Sequence, residues 1–79
     1  MLILNQKGDT IVNTDNVVKI GVTHYLKAED DKVGWYFVEA EVPEDIIVLG
    51  GYKSEKRAME VLCEILVHYT CGTICMPEE

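Results

Sequence analysis

Residues 17–42 read VVKIGVTHYLKAEDDKVGWYFVEAEV. From Val17 to Lys27 the stretch alternates: Val18, Ile20, Val22, His24 and Leu26 on one side, Val17, Lys19, Gly21, Thr23 and Tyr25 on the other. A period of two over this length predicts a half-buried β-strand. The polar run Ala28-Glu29-Asp30-Asp31-Lys32 predicts a loop, and Val33 to Val42 a second long strand. In that second strand Tyr36, Val38, Ala40 and Val42 form an unbroken apolar face, whereas the opposite face carries Trp35 and Phe37 and then Glu39 and Glu41. Pro43 ends it, because proline has no N–H to give to a ladder.

Working outward toward the N-terminus, Leu2–Asn5 and Thr10–Asn13 are short β-forming runs joined by Gln6-Lys7-Gly8-Asp9, which predicts a hairpin. Thr14-Asp15-Asn16 is a second turn. Toward the C-terminus, Ile46–Leu49 predicts a short strand ended by Gly50-Gly51. Ser54 is a good N-cap, and Glu55 stands in the first turn, where the helix dipole favours a carboxylate. Ala58, Leu62, Ile65, Leu66 and Tyr69, widened by Met59 and Val61, recur at helical spacing, so a helix is expected from about Glu55 to Tyr69 or Thr70. Gly72 is placed to close it in the left-handed conformation. Thr73–Met76 is a candidate closing strand, and Pro77-Glu78-Glu79 is expected to fray. The expected architecture is α+β, one domain over residues 1–79: an antiparallel sheet of four to five strands with one C-terminal helix packed on one face. Val18, Ile20, Val22, Tyr36, Val38 and Ala40 would meet the helix, leaving Trp35, Phe37, Tyr25 and Val17 on the other face. Large apolar groups on an open face point to a protein contact, a homodimer first and a different protein second.

The 79 residues carry 14 acidic and 7 basic side chains, a net charge of -7, and Arg57 is the only arginine. Nucleic-acid binding needs a basic stripe that neutralises phosphates, and there is none, so neither direct nucleic-acid binding nor attraction to an anionic membrane is expected. The charge suits solubility or docking on a basic protein surface. Met1–Asn5 is too short for a signal h-region, no apolar run approaches the ~20 residues of a membrane span, and the three cysteines are an odd set late in the chain. A reducing cytoplasm is the expected compartment. A core this small rarely supplies more than about 3–5 kcal/mol.

No residue pattern announces catalysis. Cys63, His68, Cys71 and Cys75 have zinc-ligand chemistry but not the spacing of zinc knuckles, and Cys63 reads as a small buried hydrophobe. Cys71 and Cys75 lie at a helix C-terminus, where the dipole opposes a thiolate. His24 and His68 have no orienting carboxylate nearby in sequence. Asp30 and Asp31 read as a solvated turn, since a calcium loop would need alternating oxygen ligands and a central glycine. No metal or cofactor is therefore expected. Glu39 and Glu41 read as largely solvent-facing, an acidic rim beside the aromatic anchors Trp35 and Phe37. Lys53, Lys56 and Arg57 form the only basic cluster.

Several segments carry a family likeness: Met1-Leu2-Ile3-Leu4-Asn5-Gln6, Ile11-Val12-Asn13, Asp15-Asn16-Val17, Leu49-Gly50 with Tyr52-Lys53-Ser54-Glu55-Lys56-Arg57-Ala58, Glu60-Val61-Leu62, Glu64-Ile65 and Met76-Pro77-Glu78-Glu79. In these the chain resembles a family of small proteins from phages and prophages of Firmicutes, clostridia in particular. The likeness covers both ends and is vague between about Gly21 and Ile46. Relatives often carry a longer segment between the helix and the closing residues. By analogy with small acidic phage proteins, the resemblance implies a non-enzymatic counter-defence factor in the host cytoplasm. One form would block a host protein, such as a CRISPR effector, through Trp35, Phe37, Glu39 and Glu41, with Glu29, Asp30 and Asp31 beside them. The alternative is a homo-oligomeric sponge or sensor that holds a nucleotide immune signal near Lys53, Lys56 and Arg57.

Overall fold

The computed structural model describes residues 1–25 and 34–79. The expected loop with Glu29, Asp30 and Asp31 lies outside the described residues. The class is α+β as expected, but the strands form two three-stranded sheets and not one sheet of four or five. The first sheet contains β1 (Leu2–Leu4), β2 (Ile11–Asn13) and β6 (Thr73–Cys75) in the order β2-β1-β6. β1 and β2 are the expected hairpin, with Gly8 at φ 77° in its turn. β6 then returns parallel to β1, pairing Ile3 with Ile74. The second sheet is an antiparallel meander of β3 (Lys19–His24), β4 (Tyr36–Val42) and β5 (Asp45–Tyr52).

Helix α1 runs Glu55–Val67, with Ser54 Oγ accepting from the Arg57 N–H at 3.1 Å. It ends a little earlier than the apolar spacing implies. His68 caps it, donating from its ring Nδ1 to the Glu64 carbonyl at 2.8 Å, and a short 3-10 turn leads to Gly72 at φ 88°. The helix lies across β3, β4 and β5. Its buried side is Ala58, Val61 and Ile65, packed with Val38, Ala40, Leu49 and Tyr52, while Ile3 and Val12 of the first sheet, and Met76 just after β6, join the same core. Leu66 and Tyr69, expected to face the core, are exposed instead, and so is Val18. Val17, expected on the open face, packs partly against the core.

Gly50-Gly51 does not end β5. The strand continues through both glycines because a bulge at Leu49 shifts the register, pairing Val48 with Glu39 but Gly50 with Val38. The shift turns Tyr52 inward, opposite Tyr36, and the ring is fully buried. A Cβ on Gly50 would lie 2.8 Å from the Tyr52 hydroxyl oxygen, so only glycine leaves that ring its place. The hydroxyl donates to the Pro77 carbonyl at 2.7 Å, and that carbonyl also accepts from Gln6 Nε2 at 3.2 Å. Arg57 Nη2 donates to the Glu78 carbonyl, and the Lys53 N–H to Glu79 Oε1. The tail expected to fray is thus held at each of its last three residues, because the two sheets and the helix start leave donors there. Gln6 fastens the sheets together as well: its N–H donates to the Leu49 carbonyl at 2.7 Å and its Oε1 accepts from the Gly51 N–H at 2.9 Å.

Burial pushes the Tyr52 phenol up to about 12, with Glu64 and Glu79 adding to the shift and Arg57 opposing it. In the unfolded chain a tyrosine ionises near pH 10. The folded pKa is the higher one, so the contribution is intact below pH 10 and is lost as pH rises toward 12. Stability is expected to fall by as much as roughly 1.4 kcal/mol per pH unit across that window. Urea unfolding between pH 8 and 12 checks this: Tyr52→Phe should flatten most of the alkaline fall, and an equally steep fall in that variant would remove the explanation.

Candidate functional site

The face of the second sheet turned away from α1 is assembled by register. Lys19 pairs with Glu41, Gly21 with Glu39 and Thr23 with Phe37 between β3 and β4, while Phe37 pairs with Gly51, Glu39 with Val48 and Glu41 with Ile46 between β4 and β5. This face is open in part: Ile46 and Val48 are 53% and 45% exposed. At one end Tyr25 meets Phe37 edge to face, ring centroids 5.2 Å apart. A Cβ on Gly51 would lie 2.8 Å from Phe37 and 3.4 Å from Trp35, so both rings rest on the bare glycine backbone. Lys53 Nζ sits 5.7 Å from the Trp35 ring centroid, within cation–π reach. Trp35 and Phe37 are half-buried and Tyr25 is exposed.

The acidic half differs from the sequence expectation. Glu39 is not solvent-facing; it is 8% exposed. One carboxylate oxygen accepts from Thr23 Oγ1 at 2.8 Å and the other from the Tyr25 hydroxyl at 2.5 Å. The hydrogen bond to Glu39, with burial, holds the Tyr25 phenol above its ordinary range. No cation forms an ion pair with Glu39 among the described residues, where the ion pairs are Lys19–Glu41 at 3.8 Å and Arg57–Glu64 at 3.7 Å; Lys19 and Glu39 line one depression. Two hydroxyl donors thus carry the carboxylate where a cation would otherwise be expected. Glu41 is half-buried at the rim. Between these carboxylates Gly21 leaves this depression of about 240 Å³, lined also by Lys19, Val22, Thr23 and Ile46. A second cleft, about 440 Å³, lies between the β1–β2 turn and the Phe37–Val48 side of the face.

No family model matches this chain, and neither a curated protein nor a solved structure matches it. The functional reading therefore rests on the face itself. It brings together Trp35, Phe37, Glu39 and Glu41 as the alternation implied. Thr23 and Tyr25, which fix Glu39, were not among the expected site residues; their signal was the shared parity with Glu39, which acquires meaning only once the β3–β4 register is known. Gly51 was read as a strand end and is instead the seat of the aromatic rings.

The basic cluster disperses. Lys53 turns to Trp35, Arg57 is engaged by Glu78, Glu64 and the Tyr52 ring, and Lys56 is exposed on the helix. The depression beside Lys56 and Arg57 also contains Glu60 and Glu64. Cys63 is exposed, contrary to its reading as a buried hydrophobe, as are Cys71 and Cys75, and no group that could hold a metal ion occurs among the described residues. His24 stacks on Tyr36 at 4.1 Å and donates to the Gly34 carbonyl at 3.1 Å, on the opposite side of the sheet from Glu39. No helix among the described residues is long and apolar enough to cross a membrane.

Proposed function

We propose that this chain is a non-enzymatic binding protein of the prophage type, acting in the host cytoplasm, that inhibits a host defence protein by docking the open face of its second sheet on a basic surface. The observation that carries this reading is the partly open face itself: aromatic rings seated on Gly51 at one end, and Glu39 and Glu41, with Lys19, around Gly21 at the other. Trp and Tyr supply much contact area with few torsions to freeze, and such side chains dominate binding energy at interfaces. Glu39 is already ordered by Thr23 and Tyr25, so meeting a lysine or arginine would require little further ordering of it. The likeness to phage proteins makes a CRISPR effector, whose nucleic-acid channel is necessarily basic, the first partner to test.

The test is inhibition of target cleavage by a panel of purified CRISPR effector nucleases, together with their binding at low and at high salt. At least one effector should bind, more weakly as salt rises, and Glu41→Lys should lower affinity about tenfold or more, because it inverts a rim charge. No binding by any effector would remove the CRISPR assignment. Binding indifferent to both salt and Glu41→Lys would remove the acidic face. The nucleotide-sponge reading has less support: Lys53, Lys56 and Arg57 do not converge, Arg57 is engaged within the chain, and Glu60 and Glu64 line the depression beside Lys56 and Arg57.

A further inference from the structure

We infer that a second copy of this chain packs on the side of the molecule formed by the outer edge of β3 and the C-terminal half of α1, away from the open sheet face. β3 is a six-residue edge strand without proline, and among the described residues no strand pairs with its outer side. The other outer strands offer less. β2 and β6 are three residues long, and Gln6 occupies the outer side of β5 at Leu49 and Gly51. An open edge of this length is a template for another strand. Antiparallel pairing of β3 with its own copy is two-fold symmetric, as an isologous dimer requires.

Beside that edge, α1 leaves an apolar groove of about 440 Å³ whose walls include Val17, Ile20, Leu62, Cys63, Leu66 and Tyr69. Leu66 and Tyr69 are 76% and 61% exposed. Charge selects the occupant. The chain carries -7, so two copies repel each other over most approaches, yet the groove is lined by no carboxylate, and its one charged side chain, Lys19, is held by Glu41 of its own chain. A groove free of carboxylates lets an acidic chain meet itself with little repulsion there, while a basic partner is drawn to the acidic surfaces elsewhere.

A two-fold axis perpendicular to the sheet would join the meanders into one six-stranded sheet, with both helices on one side and both open faces on the other. Each dimer would then present two copies of the aromatic and acidic face, raising avidity for a partner with paired basic sites. Sedimentation equilibrium of the full chain over a concentration series tests the inference. The wild type should dimerise, Leu66→Glu should weaken association about tenfold or more, and Val48→Glu, on the open face, should leave it unchanged. In the dimer, maleimide should modify Cys63 more slowly than Cys75, a protection that Leu66→Glu removes. Circular dichroism confirms that each variant is folded. A wild type that stays monomeric at its highest soluble concentration would overturn the inference. Association lost in Val48→Glu but kept in Leu66→Glu would also overturn it, moving the second copy to the open sheet face. Neither result touches effector binding, which is measured separately.

Discussion

Tyr52→Ala is expected to leave the chain unfolded at room temperature. The side chain is fully buried and is among the largest in the core, packed with Val38, Leu49, Ala58 and Val61. Removing a buried aromatic ring costs about 3–5 kcal/mol, and the entire stability of a domain this small is of the same size. The loss extends beyond the cavity, because the Tyr52 hydroxyl and Gln6 together hold the Pro77 carbonyl that anchors the tail. Tyr52→Phe keeps the ring and gives up one hydrogen bond, so it should cost only about 1 kcal/mol. Gly50→Ala approaches the same ring from beneath: its new methyl would stand 2.8 Å from an oxygen already tied to Pro77, and it should fall between the other two. Urea titration by circular dichroism orders the three variants. A cooperative Tyr52→Ala transition close to that of the wild type would show that the ring is not the centre of this core.

The second large effect is expected on the open sheet face. Trp35→Ala and Phe37→Ala should each weaken binding to the effector identified in the inhibition panel by about thirtyfold or more, the loss typical of an interface anchor worth about 2 kcal/mol. Both residues are half-buried in the free protein, so the effect on folding should be the smaller one. Gly51→Ala separates geometry from chemistry. It deletes no contact group, but its methyl would stand 2.8 Å from Phe37 and 3.4 Å from Trp35 and so must lift the rings. Reduced affinity in Gly51→Ala, with thermal stability nearly unchanged, would show that ring position is what the partner reads. Full affinity in all three variants, measured by isothermal titration calorimetry, would place the interface elsewhere.

Much of the local structure was legible in the sequence. The alternation in residues 17–42 assigned Lys19, Gly21, Thr23 and Tyr25 to one face and Ile20 and Val22 to the other, and the β3–β4 register agrees. Ser54 marked the helix start, and Gly72 took the expected left-handed conformation, though at the end of the 3-10 turn that follows the helix and not at the helix end itself, which His68 caps. Each of these rests on side-chain parity or on one residue's backbone preference, and both act over a few residues. The readings that changed all depended on distant segments. Glu39 looked like a solvated charge because nothing adjacent to it in sequence can hold it; Thr23 and Tyr25 lie 16 and 14 residues away. Gly50-Gly51 looked like a strand end because glycine favours turns. Here the glycines extend the strand because Tyr52 and Phe37 occupy the space that their side chains would have taken.

The apolar pattern by itself determined that this chain forms strands and one amphipathic helix, and which side of β3 and of β4 faces inward. It could not determine that the strands divide into two sheets. Burying an apolar face lowers the free energy whichever strand lies alongside, so periodicity specifies faces and leaves neighbours open. That choice was made by long-range pairing. β6 returns from the far end of the chain to lie parallel to β1, Gln6 joins the first sheet to β5, and the Leu49 bulge turns Tyr52 into the core shared by both sheets. Among the described residues the same division leaves the outer edge of β3 without a strand partner, because the strands of the first sheet that might have extended the second are paired with one another.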